Sequence, residues 1–111
     1  MKGANDRIMN IKAFCTSKIS DQTKKALSQY MDISYGGTAL PNVFRKRLSE
    51  EELIENLQGV EVLLVSYDNI TRKVIENCPD LKVIGSERDG PEENIDVAAA
   101  KEFGIPIVHS K

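Results

Sequence analysis

Residues 60–65 read Val60-Glu61-Val62-Leu63-Leu64-Val65, and this short run decides the fold. It is nearly continuous in apolar side chains and rich in β-branched ones. A strand with one wet face alternates polar and apolar residues, whereas a strand of a parallel sheet, covered on both faces, does not. Moving back along the chain, Ser49-Glu50-Glu51-Glu52 is a capping box, in which Ser49 accepts from the Glu52 amide and the Glu52 carboxylate reaches back. Leu53, Ile54 and Leu57 continue as the apolar face of that helix, and Gly59 ends it. Moving forward, Asn69 or Thr71 caps a short helix with Val74, Ile75 and Cys78 facing inward, and Pro79 stops it. Leu81–Ile84 is the next strand. A helix over 95–103 carries Val97, Ala100 and Phe103 on one face with Gly104 as its C′ residue, and Ile105–Val108 is the last strand.

The N-terminal part repeats the alternation. Met9–Phe14 reads as a strand, and Ser20 caps a helix whose buried stripe is Ala26, Leu27, Tyr30 and Met31. Ile33–Tyr35 is a short second strand closed by Gly36-Gly37. Residues 38–48 are irregular, and Arg45-Lys46-Arg47 reads as a solvated face. Strand and helix alternating to the end imply one α/β domain over residues 1–111, a five-stranded parallel sheet with helices on both faces, in the flavodoxin-like order 2-1-3-4-5. In such sheets ligands sit beyond the carboxyl ends of the strands. Four loops qualify: Cys15–Ser20, Gly36–Thr38, Ser66–Ile70 and Ser86–Glu93.

Composition excludes several classes. A net charge of −2 leaves no basic footprint for nucleic acid. No apolar run approaches the ~20 residues that span a bilayer, and the polar start has no signal-peptide core. The expected location is therefore cytoplasmic. Cys15, Cys78 and one histidine lack the number and spacing of a zinc site, so the thiols are expected to be reduced and buried, with no metal ligands.

Two chemistries fit the loops poorly. A phosphoacceptor receiver would use Asp68, Ser86 and Lys111, but Phe14-Cys15-Thr16-Ser17 offers no acidic pair for magnesium. A flavin phosphate loop would use Thr16-Ser17-Lys18-Ile19-Ser20, but this segment has no glycine to let the backbone approach phosphate.

A third reading comes from a resemblance. Leu81-Lys82-Val83-Ile84-Gly85, a glycine-containing loop, Asn94-Ile95-Asp96-Val97-Ala98-Ala99-Ala100 and Phe103-Gly104-Ile105-Pro106-Ile107-Val108 occur in this order. Together with Leu57-Gln58-Gly59-Val60-Glu61-Val62-Leu63-Leu64-Val65-Ser66, they resemble the D-isomer-specific 2-hydroxyacid dehydrogenase family. The likeness covers residues 48–111 well and residues 7–47 only in strand–helix order. It implies the substrate-binding domain of an NAD-dependent oxidoreductase, which in the family faces a Rossmann domain across a cleft. It also implies that backbone amides at Arg88, Asp89 and Gly90 hold the carboxylate of a small 2-hydroxy or 2-oxo acid, with Ser66 and Tyr67 lining the cleft. Asp89 stands where many members have glycine, and Pro91 has no amide to donate.

No GxGxxG occurs in the chain, and the family's catalytic Arg, Glu and His lie downstream of Lys111, so His109 is a strand-end residue. The chain is therefore expected to carry no catalytic residue of its own and to bind no NAD alone. It would work with the missing Rossmann domain, or associate as a homo-oligomer through an exposed apolar patch. The alternative is a freestanding, non-catalytic module that binds a small carboxylate or regulates a full-length partner.

Overall fold

A computed structural model describes residues 11–39, 47–87 and 90–109. Five strands, β1 (Lys12–Cys15), β2 (Asp32–Tyr35), β3 (Val62–Val65), β4 (Val83–Ser86) and β5 (Ile107–His109), form one sheet in the order β2-β1-β3-β4-β5. All four pairings are parallel. The flavodoxin-like expectation holds. Four α-helices connect the strands: α1 (Asp21–Leu27), α2 (Glu50–Asn56), α3 (Arg72–Glu76) and α4 (Val97–Glu102).

Right-handed crossovers place α1, which leads outward from β1 to β2, on the face opposite α2, α3 and α4, which lead the other way. The register sorts the strand residues accordingly. Phe14, Leu63 and Ile84 lie side by side and are buried, in one cluster with Leu53, Leu57, Val74, Ile75 and Ala100. On the other face, Cys15, Leu64, Gly85 and Val108 align; Cys15 is fully buried, Leu64 and Gly85 half-buried, and Val108 is 61% exposed. The core is thus closed along one face and, on the other, closed only at β1.

The helix ends obey local chemistry. Ser49 and Glu52 form the full capping box, Thr71 caps α3, and Asp96 caps α4 by accepting from the Ala99 amide. Gly104 has φ of 72°, the left-handed conformation that a helix C′ residue needs and glycine adopts at little cost. Both cysteines are free and buried.

Two expected helix faces differ. α1 buries no residue, and Tyr30 lies beyond the helix end and is 61% exposed. The helix stops after seven residues, where Ser28 caps it, so the stripe outruns the helix. In α4 the buried residues are Ala99 and Ala100, while Val97 and Phe103 are exposed. The small alanines are the residues that α4 turns into the core cluster, and the larger side chains face outward. β3 and β4 also begin two residues later than the apolar runs, because Val60 and Leu81 close turns onto Leu57 and Cys78. Met9, Arg45, Lys46 and Lys111 lie outside the described residues.

Candidate functional site

The carboxyl ends of β3 and β4 are tied together by buried polar groups. The Ser66 amide donates to Thr16 Oγ1 at 3.2 Å, and the Ser66 hydroxyl donates to Glu87 Oε2 at 3.0 Å. Asp68 is fully buried, and its Oδ2 accepts from the Leu48 amide at 2.7 Å. Asn94 donates from Nδ2 to two carbonyls of the same loop, Ser66 at 2.9 Å and Asp68 at 2.8 Å. The backbone continues the connection: Ile70 donates to Asn94 O, and Asp96 donates to Ile70 O, making a lone parallel bridge between Ile70 and Ile95.

These bonds locate the residues singled out in the sequence. Ser66 is buried with its hydroxyl turned toward Glu87, whereas Tyr67 is 47% exposed at the rim. Gly90 is half-buried and leads into a 3-10 turn at Pro91–Glu93. Its φ of −109° is open to any residue, so the backbone here does not call for glycine. Arg88 and Asp89 lie outside the described residues. Asp68 is sealed and bonded to Leu48, which removes it as a phosphoacceptor. Sequence reasoning missed Glu87 and Asn94, and the only local signal for Asn94 was its place just before the cap of α4.

The β1–α1 loop is occupied with its own bonds. Thr16 Oγ1 accepts from Ser66, the Cys15 thiol donates to Ser17 O at 3.2 Å, and Ser20 caps α1. Burial is the main influence raising the Cys15 pKa, with the nearby Glu87 carboxylate adding to it, so the thiol is a poor nucleophile at neutral pH. Burial pushes Cys78 up to about 11. No glycine stands in this loop to admit a pyrophosphate, so the residues present do not fit a dinucleotide there. Among the described residues no three His, Cys, Asp or Glu side chains gather to hold a metal ion.

An apolar cleft of about 420 Å³ opens on the α1 face at the carboxyl ends of the strands, lined by Ile19, Leu27, Leu64, Gly85, Val108 and His109. A slightly larger hollow, about 450 Å³, lies beside Lys101, Pro106 and Ile107 near the start of β5, away from the strand-end loops. Among the described residues no helix is long and apolar enough to cross a membrane.

A parallel sheet of this order, with its polar network gathered where β3 and β4 end, defines an α/β domain of the flavodoxin-like class. Residues 12–111 match the model of the D-isomer specific 2-hydroxyacid dehydrogenase, catalytic domain, and the chain belongs to that family. It is 47% identical over 64 residues to the D-3-phosphoglycerate dehydrogenase of Methanocaldococcus jannaschii, a match covering 57% of this chain and 12% of that protein. It is 36% identical over 59 residues to the glycerate dehydrogenase of Methylorubrum extorquens, covering 53% of this chain and 18% of that protein. Among solved structures, the PH0520 protein of Pyrococcus horikoshii superposes with a TM-score of 0.73 at 27% identity, over 93% of this chain and 28% of that one. A 2-hydroxyacid dehydrogenase from a Polaromonas species gives 0.69 at 29% identity, over 86% and 28%. The chain thus corresponds to well under a third of the length of these relatives.

Proposed function

We propose that this chain is the substrate-side domain of an NAD-dependent D-2-hydroxyacid dehydrogenase. In this reading it receives the carboxylate of a small 2-hydroxy or 2-oxo acid at the carboxyl ends of β3 and β4. The amides of Arg88, Asp89 and Gly90 hold the acid, with Tyr67 at the rim and Ser66 fixed behind it. The observation that carries this reading is the bonding of the Ser66–Ile70 loop to Asn94, which brings the Tyr67 loop and the Gly90 turn together at the carboxyl end of the sheet. Within these 111 residues there is no GxGxxG and the single histidine, His109, ends β5, so in this reading the chain alone binds acid without turnover.

Titration of the isolated chain with pyruvate and, separately, with NADH tests this. Pyruvate is expected to shift the amide resonances of Tyr67 and Gly90 at millimolar concentration, and NADH to leave the spectrum unchanged. Tight NADH binding without any response to pyruvate would overturn the reading. The Asp89→Asn variant sharpens it: removing a carboxylate next to an anion site is expected to tighten pyruvate several-fold, less so at high salt. An unchanged affinity would place the Asp89 carboxylate away from the acid.

A further inference from the structure

We propose that Asn94 is a positioning residue, a two-pronged donor that holds the Ser66–Asp68 loop against the Gly90 turn and so sets the site described above. The inference rests on the reading of that site, but its structural half can be tested without it. The carboxamide of asparagine carries two N–H bonds. Here both go to carbonyls two residues apart, Ser66 O and Asp68 O, so they flank the backbone of Tyr67 on either side. Asn94 is 9% exposed, which leaves little room for water to take over these bonds.

The same residue is anchored to the other loop. The Asn94 and Ile95 amides both donate to Pro91 O, at 3.2 and 2.8 Å, one residue after Gly90. A single side chain and its backbone therefore connect the turn after β4 to the loop after β3. The arrangement also has a cost. Among the described residues the buried Asn94 Oδ1 meets no hydrogen-bond partner, an expense that a small apolar residue at this position would avoid. An asparagine is explained here by its donors. Asp68 completes the junction, because its Oδ2 draws in the Leu48 amide while its carbonyl accepts from Asn94.

The test compares the 111-residue chain with Asn94→Ser and Asn94→Asp, reading amide exchange at every resolved position together with pyruvate binding. Exchange of the Ser66 and Ile70 amides is expected to accelerate about tenfold, the factor for roughly 1.4 kcal/mol, while Leu63 and Ile84 in the core keep wild-type rates. Pyruvate affinity is expected to fall by a similar factor. Asn94→Asp adds a signature that a volume change cannot mimic. Ionised, its carboxylate offers no donor, whereas protonated it offers one, so Ile70 protection relative to wild type at the same pH is expected to recover on acidification. Asn94→Ser, which does not titrate in this range, is expected to show no such recovery. Wild-type exchange at Ser66 and Ile70 in both variants would overturn the proposal, as would a uniform acceleration that includes Leu63 and Ile84. If the wild-type chain gives no response to pyruvate, the site reading falls, and the exchange pattern still decides whether Asn94 holds the loop.

Discussion

The two faces of the sheet carry the same kind of residue and have different fates. Toward α2, α3 and α4, Phe14, Leu63, Val65 and Ile84 are sealed. Toward α1, Leu64 and Gly85 are only half-covered and Val108 is open, although they sit one residue away on the same strands. Burial here depends on which helices a crossover delivers and not on strand composition. An all-apolar strand such as β3 implies cover on both sides, but among the described residues only three helices on one side supply it fully.

The comparison can be broken most directly by paired truncations in β3. Leu63→Ala leaves a cavity in the closed core and is expected to cost roughly 2–5 kcal/mol in urea denaturation. Leu64→Ala, its neighbour on the half-open face, is expected to cost about 1 kcal/mol or less. Equal losses would show that the α1 face is as closed as the other. The caps make a smaller contrast. Ser49→Ala removes the capping box of a helix that buries Leu53, and is expected to cost about 1 kcal/mol of global stability. Ser20→Ala unravels a helix that buries nothing, so circular dichroism is expected to show local fraying with little change in the denaturation midpoint.

Alkaline pH gives a gentler test of the closed side. Cys78 keeps its proton in the folded chain to about pH 11, against an ordinary value of 9.0. Its contribution to stability is therefore complete below about pH 9 and is lost as pH rises toward about 11, where the unfolded chain is already ionised. Cys78→Ala is expected to flatten this alkaline slope, measured as the urea midpoint against pH. The smallest effect is expected from Arg72→Ala. Arg72 pairs with Glu76 at 3.2 Å and with Glu102, all on the surface, so the loss is expected to leave the melting temperature almost unchanged in 0.5 M salt.

Much of this fold was legible because its signals are local. A capping box, an apolar run or a glycine after a helix each acts within a few residues, and Ser49, Val62–Val65 and Gly104 were read correctly for that reason. Burial was less legible where it depended on tertiary distance. The Ala26–Met31 stripe has helical spacing, yet the helix ends at Leu27, and the core takes Ala99 and Ala100 from α4 while Val97 and Phe103 face outward. The site was legible as a set of loops but not as a network. Asn94 reaches carbonyls 26 and 28 residues earlier, and nothing in Asn94-Ile95-Asp96 as a string of letters distinguishes a loop-holding amide from an ordinary helix lead-in. Of the residues assigned to the acid, Tyr67 and Gly90 fall near one another through that network, while Arg88 and Asp89 lie outside the described residues.

The bonds on either side of residues 88 and 89 have a consequence for how the domain can vary. Before the pair, the Glu87 amide is bonded to Val65 O; after it, Gly90 O accepts from Glu93, and Pro91 O holds Asn94 and Ile95. The Ile70–Ile95 bridge lies beyond both and acts as a stitch across the end of the sheet. With the chain bonded before and after residues 88 and 89, substitutions at these two positions are expected to leave the register of β4 and the start of α4 unchanged. Under the proposed function, changes of charge at residues 88 and 89 would alter which acid is accepted while leaving the rest of the domain in place.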